Sequence, residues 1–274
     1  GLLKVLRAAR FTGVLSCPLL WLACVSPASA EDVAFPLRAA AQRHYLEDSQ
    51  GRPFLITGDS AWSMIADLPL ADAELYLDTR KQQGFNTILT SLIEHKFARN
   101  APADFYREPP FTGAAFDQPN DAYFRRAEAV IEAARRRQDR RDTEAPAYGA
   151  GGEAEGWYKE MVAAGAETLN AYGRYLGRRF ARFPNIIWVQ GGDYDPPDKT
   201  LVNAIAEGIE AEAPSALQTV HGNRDTATSV FWNDAKWLGL DTVYTYGDVG
   251  AAVLARRNSG PRRPFFMIEA RYEA

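Results

Sequence analysis

The sequence predicts an α/β fold of the TIM-barrel type, and three observations carry that prediction. Short, continuously apolar runs alternate with amphipathic stretches along the chain, the pattern of parallel strands linked by helices. The apolar runs lack an in-out alternation, as strands buried on both faces do. Acids or imidazoles stand directly after several runs, where barrel enzymes keep their chemistry. Asn185-Ile186-Ile187-Trp188-Val189-Gln190-Gly191-Gly192-Asp193 shows all of this at once: a buried run, two glycines for a sharp turn, then a carboxylate. Pro264-Phe265-Phe266-Met267-Ile268-Glu269 repeats the layout, so two strands each deliver one acid.

Length and composition agree with this class. The 274 residues fit one domain, since such barrels run to about 250 residues. Apolar content is 46% and charged content 24%, ordinary values for a globular protein. A net charge of −4 leaves no basic footprint for nucleic acid. Residues 1–30 read as a secretion signal: Lys4, Arg7 and Arg10, then an apolar stretch from Phe11 to Val25, then Ala28-Ser29-Ala30 as a cleavage site. The stretch is too short and too broken by Gly13 and Pro18 for a membrane anchor. Lipoprotein anchoring at Cys24 is the lesser alternative, because Trp21 stands where an aliphatic residue is usual. Both cysteines, Cys17 and Cys24, lie in this segment, so the remaining domain, 31–274, has neither disulfide nor thiolate metal site. The expectation is a secreted or periplasmic monomer, free of the membrane after cleavage.

In chain order, Pro53 to Gly58 reads as the first core strand and leads into Asp59-Ser60-Ala61-Trp62. Pro69 to Gln83 reads as a helix, with Leu70, Ala73 and Leu77 apolar and Gly84 ending it. Phe85 to Leu92 is a second strand running into Glu94 and His95, and the long Pro-rich and aromatic loop from Lys96 to Pro119 follows. Asn120 caps a helix through Arg137, with Tyr123, Ala127, Val130 and Ala134 on one face. Residues 138–144 are charged where a third strand is due, so that strand is expected to be degenerate and the barrel gapped between its second and fourth strands. The pattern resumes at Ala145-Pro146-Ala147-Tyr148 and Gly156-Trp157-Tyr158, followed by a helix from Ala166 to Phe183. After the Ile186 to Val189 strand come a helix (Leu201 to Ala211), a strand (Ala216 to His221) and a helical stretch (Ser229 to Trp237). A strand (Thr242 to Tyr246), a helix (Val249 to Arg256) and the strand ending at Glu269 complete the order. Seven units are countable, an eighth βα unit is missing, and the barrel is expected to be incomplete and C-terminally truncated.

Acids and imidazoles at strand ends are Asp59, Glu94, His95, Asp193, His221 and Glu269, accompanied by Trp62, Trp157, Tyr244, Tyr246 and Tyr272. Taken singly, each has a bland explanation; a loop Asp after Gly is usually a turn former or helix cap, and Asp195 and Asp198 read as members of that class. Co-location at one barrel face favours catalysis. There is no Gly-rich phosphate loop and no G-x-S-x-G elbow. The three histidines show no paired spacing for zinc, so no metal or other cofactor is expected. A carboxylate pair with aromatic walls suits acid-assisted glycosidic cleavage.

Gly51-Arg52-Pro53-Phe54, Gly58-Asp59-Ser60-Ala61-Trp62, Arg80 with Gly84-Phe85-Asn86, Pro119-Asn120 with Tyr123-Phe124, Pro184-Asn185-Ile186-Ile187-Trp188 leading to Gly191-Gly192-Asp193, and Glu269-Ala270-x-Tyr272-Glu273 resemble the apiosidase-like barrel glycosidases, glycoside hydrolase family 140. The resemblance implies a (β/α)8 barrel with Asp193 as acid/base after strand four and Glu269 as nucleophile after strand seven. It further implies an exported, retaining glycoside hydrolase on plant-type glycans such as apiose-containing pectin side chains, with the remaining acids, imidazoles and aromatics binding an oligo- or polysaccharide. The alternatives are a carbohydrate-binding barrel without turnover and an inactive fragment of such an enzyme.

Overall fold

The computed structural model describes residues 33–138, 143–147 and 156–272. The expected signal segment and the charged residues 139–142 lie outside the described residues. The domain opens with a small antiparallel sheet of β1 (Arg38–Ala39), β2 (Leu46–Glu47) and β3 (Pro53–Phe54). Its turn is organised by Asp48, which accepts from the backbone N–H groups of Ala34, Gln50 and Arg52 and from the Arg52 guanidinium. Burial opposes ionisation of Asp48, but these donors outweigh it and hold the carboxyl down to about 2.

This sheet corrects the first expected core strand. Pro53 and Phe54 pair with β2, Leu55 turns out to solvent (81% exposed), and the barrel strand β4 begins only at Gly58 (Gly58–Ser60). Asn86 fixes the offset by accepting from Thr57 N–H and donating to Leu55 C=O, each at 2.8 Å. Helices α1 (Met64–Asp67) and α2 (Leu70–Gln82) follow, and Gly84 at φ +89° turns the chain into β5 (Thr87–Ser91), all five residues of which are buried. Asn120 caps α3 (Asp121–Gln138) as expected, its Oδ1 accepting from Ala122 N–H.

A third strand does form, β6 (Thr143–Ala147), and it takes in Thr143 and Glu144 from the run expected to form none. It pairs in parallel with β5 from Thr87↔Thr143 to Ser91↔Ala147, because the buried β5 edge presents backbone groups that need partners. Toward the fourth strand, β7 (Ile187–Gln190), its register holds through Ala147↔Val189 alone. Helix α4 (Tyr158–Phe180) starts a full two turns before the expected Ala166, with Gly165 (φ +78°, ψ 164°) kinking two helical segments together. The remaining elements are α5 (Lys199–Glu212), β8 (Leu217–Val220), α6 (Thr228–Phe231), β9 (Asp241–Tyr244), α7 (Val249–Asn258) and β10 (Phe265–Glu269).

Among the described residues the parallel strands form one sheet in the order β4-β5-β6-β7-β8 and a second pair, β9 with β10. The alternation is that of a TIM-type α/β fold. Threonine hydroxyls stitch the two sheets: Thr219 donates to Leu240 C=O (2.5 Å) and Thr242 to Val220 C=O (2.7 Å). On the interior side Gly58 to Ser60, Thr87, Leu89, Ile187, Val189 and Phe266 to Ile268 line a cavity of about 170 Å³. Behind the sheet, α4 and α5 pack backbone to backbone, since a Cβ on Gly173 or Gly208 would collide with the facing helix. At the foot of β9, buried Asp241 binds Arg256 of α7 and Arg263, so the helix and the chain entering β10 are tied to one carboxylate.

Candidate active site

Two strand ends supply the central carboxylates. Gly191, buried at φ +76°, lets the chain leave β7 in a turn that exposes Asp193. On β10 the register with β9 slips between Met267 and Glu269, and such a bulge re-aims the side chain that follows. The Glu269 side chain is thereby 10% exposed and lies against β8 and β9 residues.

Tyr246 donates its hydroxyl to Glu269 Oε1 at 2.6 Å, and His221 Nε2 meets Oε2 at 3.1 Å. Burial pushes the Glu269 carboxyl up, but hydrogen bonds from His221, Tyr246 and Tyr272 outweigh it, so the net shift is downward. Tyr244 donates to Asp193 Oδ2 at 3.2 Å. Its own hydroxyl is pushed strongly upward, first by burial, then by a hydrogen bond with Tyr246 and the nearby charges of Glu269 and Asp193. Tyr246 is raised as well, foremost by its bond to Glu269. Both phenols therefore keep their single hydrogen across the neutral range, Tyr246 giving its own to Glu269 and Tyr244 to Asp193, so the adjacent hydroxyls serve one carboxyl each.

Trp62 and Tyr272 form the wall beside this pair. Trp62 Nε1 donates to Tyr272 OH at 3.2 Å, and the indole stands edge-on to His221 at 5.8 Å between ring centroids. Trp62 C=O accepts from Ser91 N–H, which fixes the loop after β4 to the end of β5. Tyr272 is 61% exposed, so part of this wall faces solvent.

The other sequence-derived candidates fall elsewhere. Asp59 accepts from Tyr76 OH at 2.6 Å and pairs with Arg80, both on α2, so its carboxylate serves strand-helix packing. Glu94 is buried, accepts from Ser63 Oγ at 2.7 Å, and is raised by that burial against the opposing hydrogen bonds. His95 Nε2 lies 3.0 Å from Glu160 Oε1, and its ring stands edge-on to Trp157 at 4.9 Å. Trp157 is only 5% exposed and packs against Phe111 and Phe116 of the long loop. These three form a second group that touches the first through the adjacent residues Trp62 and Ser63. Asp195 and Asp198 take the turn and cap roles expected: Asp195 accepts from Asn223 N–H and Thr226 OH, and Asp198 caps α5 through Thr200 N–H.

Ser63, Glu160, Tyr76 and Arg80 were not foreseen as partners of these acids. For Tyr76 and Arg80 a signal existed, since residues four apart on a helix share a face. For Ser63 and Glu160 only the fold reveals the contact.

The arrangement can carry out a two-carboxylate reaction. Glu269 is an acceptor with both oxygens oriented, and Asp193 is an exposed acid beyond the end of β7, in the other sheet. The tyrosine pair holds one oxygen of each. Among solved structures, the chain is similar to one described as a glycoside hydrolase, with 22% identity and a TM-score of 0.70, over 88% of this chain and 58% of that one. A glycoside hydrolase family 5 protein from Bacteroides vulgatus ATCC 8482 is similar at 22% identity and a TM-score of 0.72, covering 87% of this chain and 54% of its own. The endo-1,4-beta-mannanase from Rhizomucor miehei has 14% identity and a TM-score of 0.56, with 85% and 81% covered. At these identities the likeness is one of fold. The chain spans little more than half the length of the first two structures. No curated protein sequence matches it. The model of the apiosidase-like catalytic domain matches residues 40–274, and the chain belongs to that family.

Proposed function

We propose that the chain is a glycoside hydrolase that acts on plant-type glycans, with apiose-containing pectic side chains as the leading substrate class. The observation that carries this reading is the Glu269 carboxyl, clamped by Tyr246 and His221, with Tyr244 beside it hydrogen-bonded to Asp193. In the first step Glu269 attacks the anomeric carbon while Asp193 gives its proton to the departing glycosidic oxygen. In the second, Asp193 takes a proton from water, the water oxygen bonds to the anomeric carbon, and Glu269 leaves as a carboxylate. This double displacement retains configuration and asks for carboxyl groups about 5–5.5 Å apart. Holding both oxygens of Glu269 by donors favours a nucleophile of fixed orientation over a base that must reach a mobile water.

The basic n-region and small-residue site before Glu31 support export, and a monomer outside the cell is the form we expect. We read the unpaired sides of β4 and β10 as flanking the position of an eighth βα unit in the barrel. The test is release of reducing sugar from a panel of pectic glycans and aryl glycosides, with the anomer of the first product read by NMR. Hydrolysis that Glu269→Gln abolishes, with a retained anomer, is expected. Saturable glycan binding without turnover anywhere on the panel would make the protein a binding module, and an inverted first product would remove the nucleophile role. N-terminal sequencing of exported protein should begin at Glu31.

A further inference from the structure

Tyr246 holds Glu269, and the structure shows what holds Tyr246. The ladder between β9 and β10 ends where Thr245 N–H meets Glu269 C=O at 3.3 Å. Tyr246 comes next, and among the described residues no backbone group pairs with its own. Its carbonyl instead accepts from Arg271 Nε at 2.6 Å. A guanidinium N–H on a carbonyl is a charge-assisted bond, stronger than one between neutral groups. Arg271 follows Glu269 closely in the chain, so one short segment grips Tyr246 twice: Glu269 takes the hydroxyl, and Arg271 gives to the carbonyl. The ring between these two ends is bracketed as well. The Arg224 guanidinium lies over it at 5.1 Å, and the Tyr244 ring meets it edge-on at 5.5 Å. Arg224 is brought there because the N–H of Asp225, its neighbour in the chain, bonds to Tyr244 C=O.

An exposed arginine is most often a solvated side chain that contributes little. Arg271 is exposed, but its bond falls on the first residue beyond the sheet, and the phenol of that residue orients Glu269. We propose that Arg271 is a positioning residue of this site: it fixes Tyr246 through the carbonyl and so keeps the phenol hydroxyl on Glu269 Oε1. Among the described contacts Arg271 reaches neither Glu269 nor Asp193, so it acts through Tyr246. The planar fork is what the contact uses. A lysine would bring the same charge as a point on a flexible stem, without the rigid N–H edge.

The consequence for turnover rests on the proposed hydrolase reading, but the contact itself does not. It is read first without substrate, by NMR of the full chain carrying tyrosine labelled with 13C at Cζ, the carbon that bears the hydroxyl. The Tyr246 signal is the one among twelve that Tyr246→Phe removes. Glu269→Gln gives the position of that signal when the hydroxyl faces a neutral acceptor. Arg271→Ala and Arg271→Lys should each move the wild-type signal toward that position. A signal unmoved in both overturns the inference. So does one moved by Arg271→Ala and left in place by Arg271→Lys, since charge alone would then suffice. Should Glu269→Gln fail to fold, movement of the signal in the two Arg271 variants decides alone. On an aryl glycoside, both variants should lower kcat about tenfold and change KM far less. That loss should vanish in the Tyr246→Phe background, where no hydroxyl is left to position; losses that multiply would refute the route through Tyr246. Guanidinium ion added to Arg271→Ala, well below concentrations that unfold the chain, should restore part of the rate. Equal rescue by sodium chloride of the same ionic strength would count against a fixed contact. Turnover together with an unmoved Tyr246 signal would sink this inference and leave the hydrolase reading standing. A moved signal in a chain with no turnover would do the reverse.

Discussion

Replacing Tyr246 by phenylalanine removes one hydroxyl and almost no volume, and the structure says what that hydroxyl does. It donates to Glu269 Oε1 at 2.6 Å, a short bond to an ionised acceptor. Hydrogen bonds to charged groups contribute about 1.5–3 kcal/mol, so losing one costs roughly ten- to a hundred-fold in kcat/KM if the orientation of Glu269 is what it secures. The pH profile adds a second signature. Glu269 is held low partly by this donor, so without it the carboxyl keeps its proton to higher pH. The acid limb of kcat/KM on an aryl glycoside should therefore move upward in Tyr246→Phe. Stability follows the same sign. A depressed carboxyl stabilises the fold above its unfolded value and loses that contribution as pH falls through the folded value. Urea unfolding should therefore separate variant from wild type most at neutral pH and least in acid. A rate within twofold of wild type together with an unmoved acid limb would show that Tyr246 does not set the state of Glu269.

Other expectations follow from contacts described above. Glu269→Gln should eliminate turnover on every substrate, whereas Asp193→Asn should spare activated aryl glycosides, whose leaving groups need no proton; a rate survey over leaving groups reads the difference. Asp241→Asn strips the carboxylate from buried Arg256 and half-buried Arg263 and should cost about 3–5 kcal/mol in urea unfolding, as breaking a buried pair does. Gly208→Ala forces a methyl group into the Asn170 backbone of α4 and should cost about 1–3 kcal/mol, read as a Tm lower by several degrees. Glu94→Gln keeps an acceptor for Ser63 and removes a carboxyl that burial has raised. A raised carboxyl costs stability as pH climbs from its unfolded toward its folded value, so the variant should gain at neutral pH and lose that gain in acid, as thermal melts across pH would show.

The strands carrying the two carboxylates were legible from their continuous apolar runs, which fit a fully buried β7 and a β10 that is half-buried except at buried Ile268. Ile187 to Gln190 and Phe265 to Glu269 both form strands; the second ends at its acid, and the first reaches Asp193 through Gly191 and Gly192. Pro53 to Gly58 misled for the same reason: apolar residues on a peripheral hairpin and on a barrel strand look alike until Asn86 separates them. The kink at Gly165 left no trace, since a glycine inside a helical pattern is as often tolerated as used. At the site, strand ends could be read but partners could not. Nothing in the spacing from Asp59 to Arg80 distinguishes a packing salt bridge from a catalytic one. His221 shows the same limit from the other side: an imidazole at a strand end says nothing of what its two nitrogens face.

The threonine seam between β8 and β9 has a mechanical meaning. Asp193 hangs from one sheet, whereas Glu269, Tyr244 and Tyr246 ride on the other. The interval between the two acids is thus spanned by side-chain hydroxyls, Thr219 and Thr242 at the base and Tyr244 at the rim, and by the backbone bonds Gly239 N–H to Gln218 C=O and Asp225 N–H to Tyr244 C=O, instead of an unbroken ladder of backbone hydrogen bonds. Such a joint is compliant where a ladder is stiff. Pressure, viscosity or a bulkier residue in place of Thr242 would act on the width of the jaw before touching either acid. A change at the seam would thus alter the spacing of the two acids while leaving each acid's own strand intact.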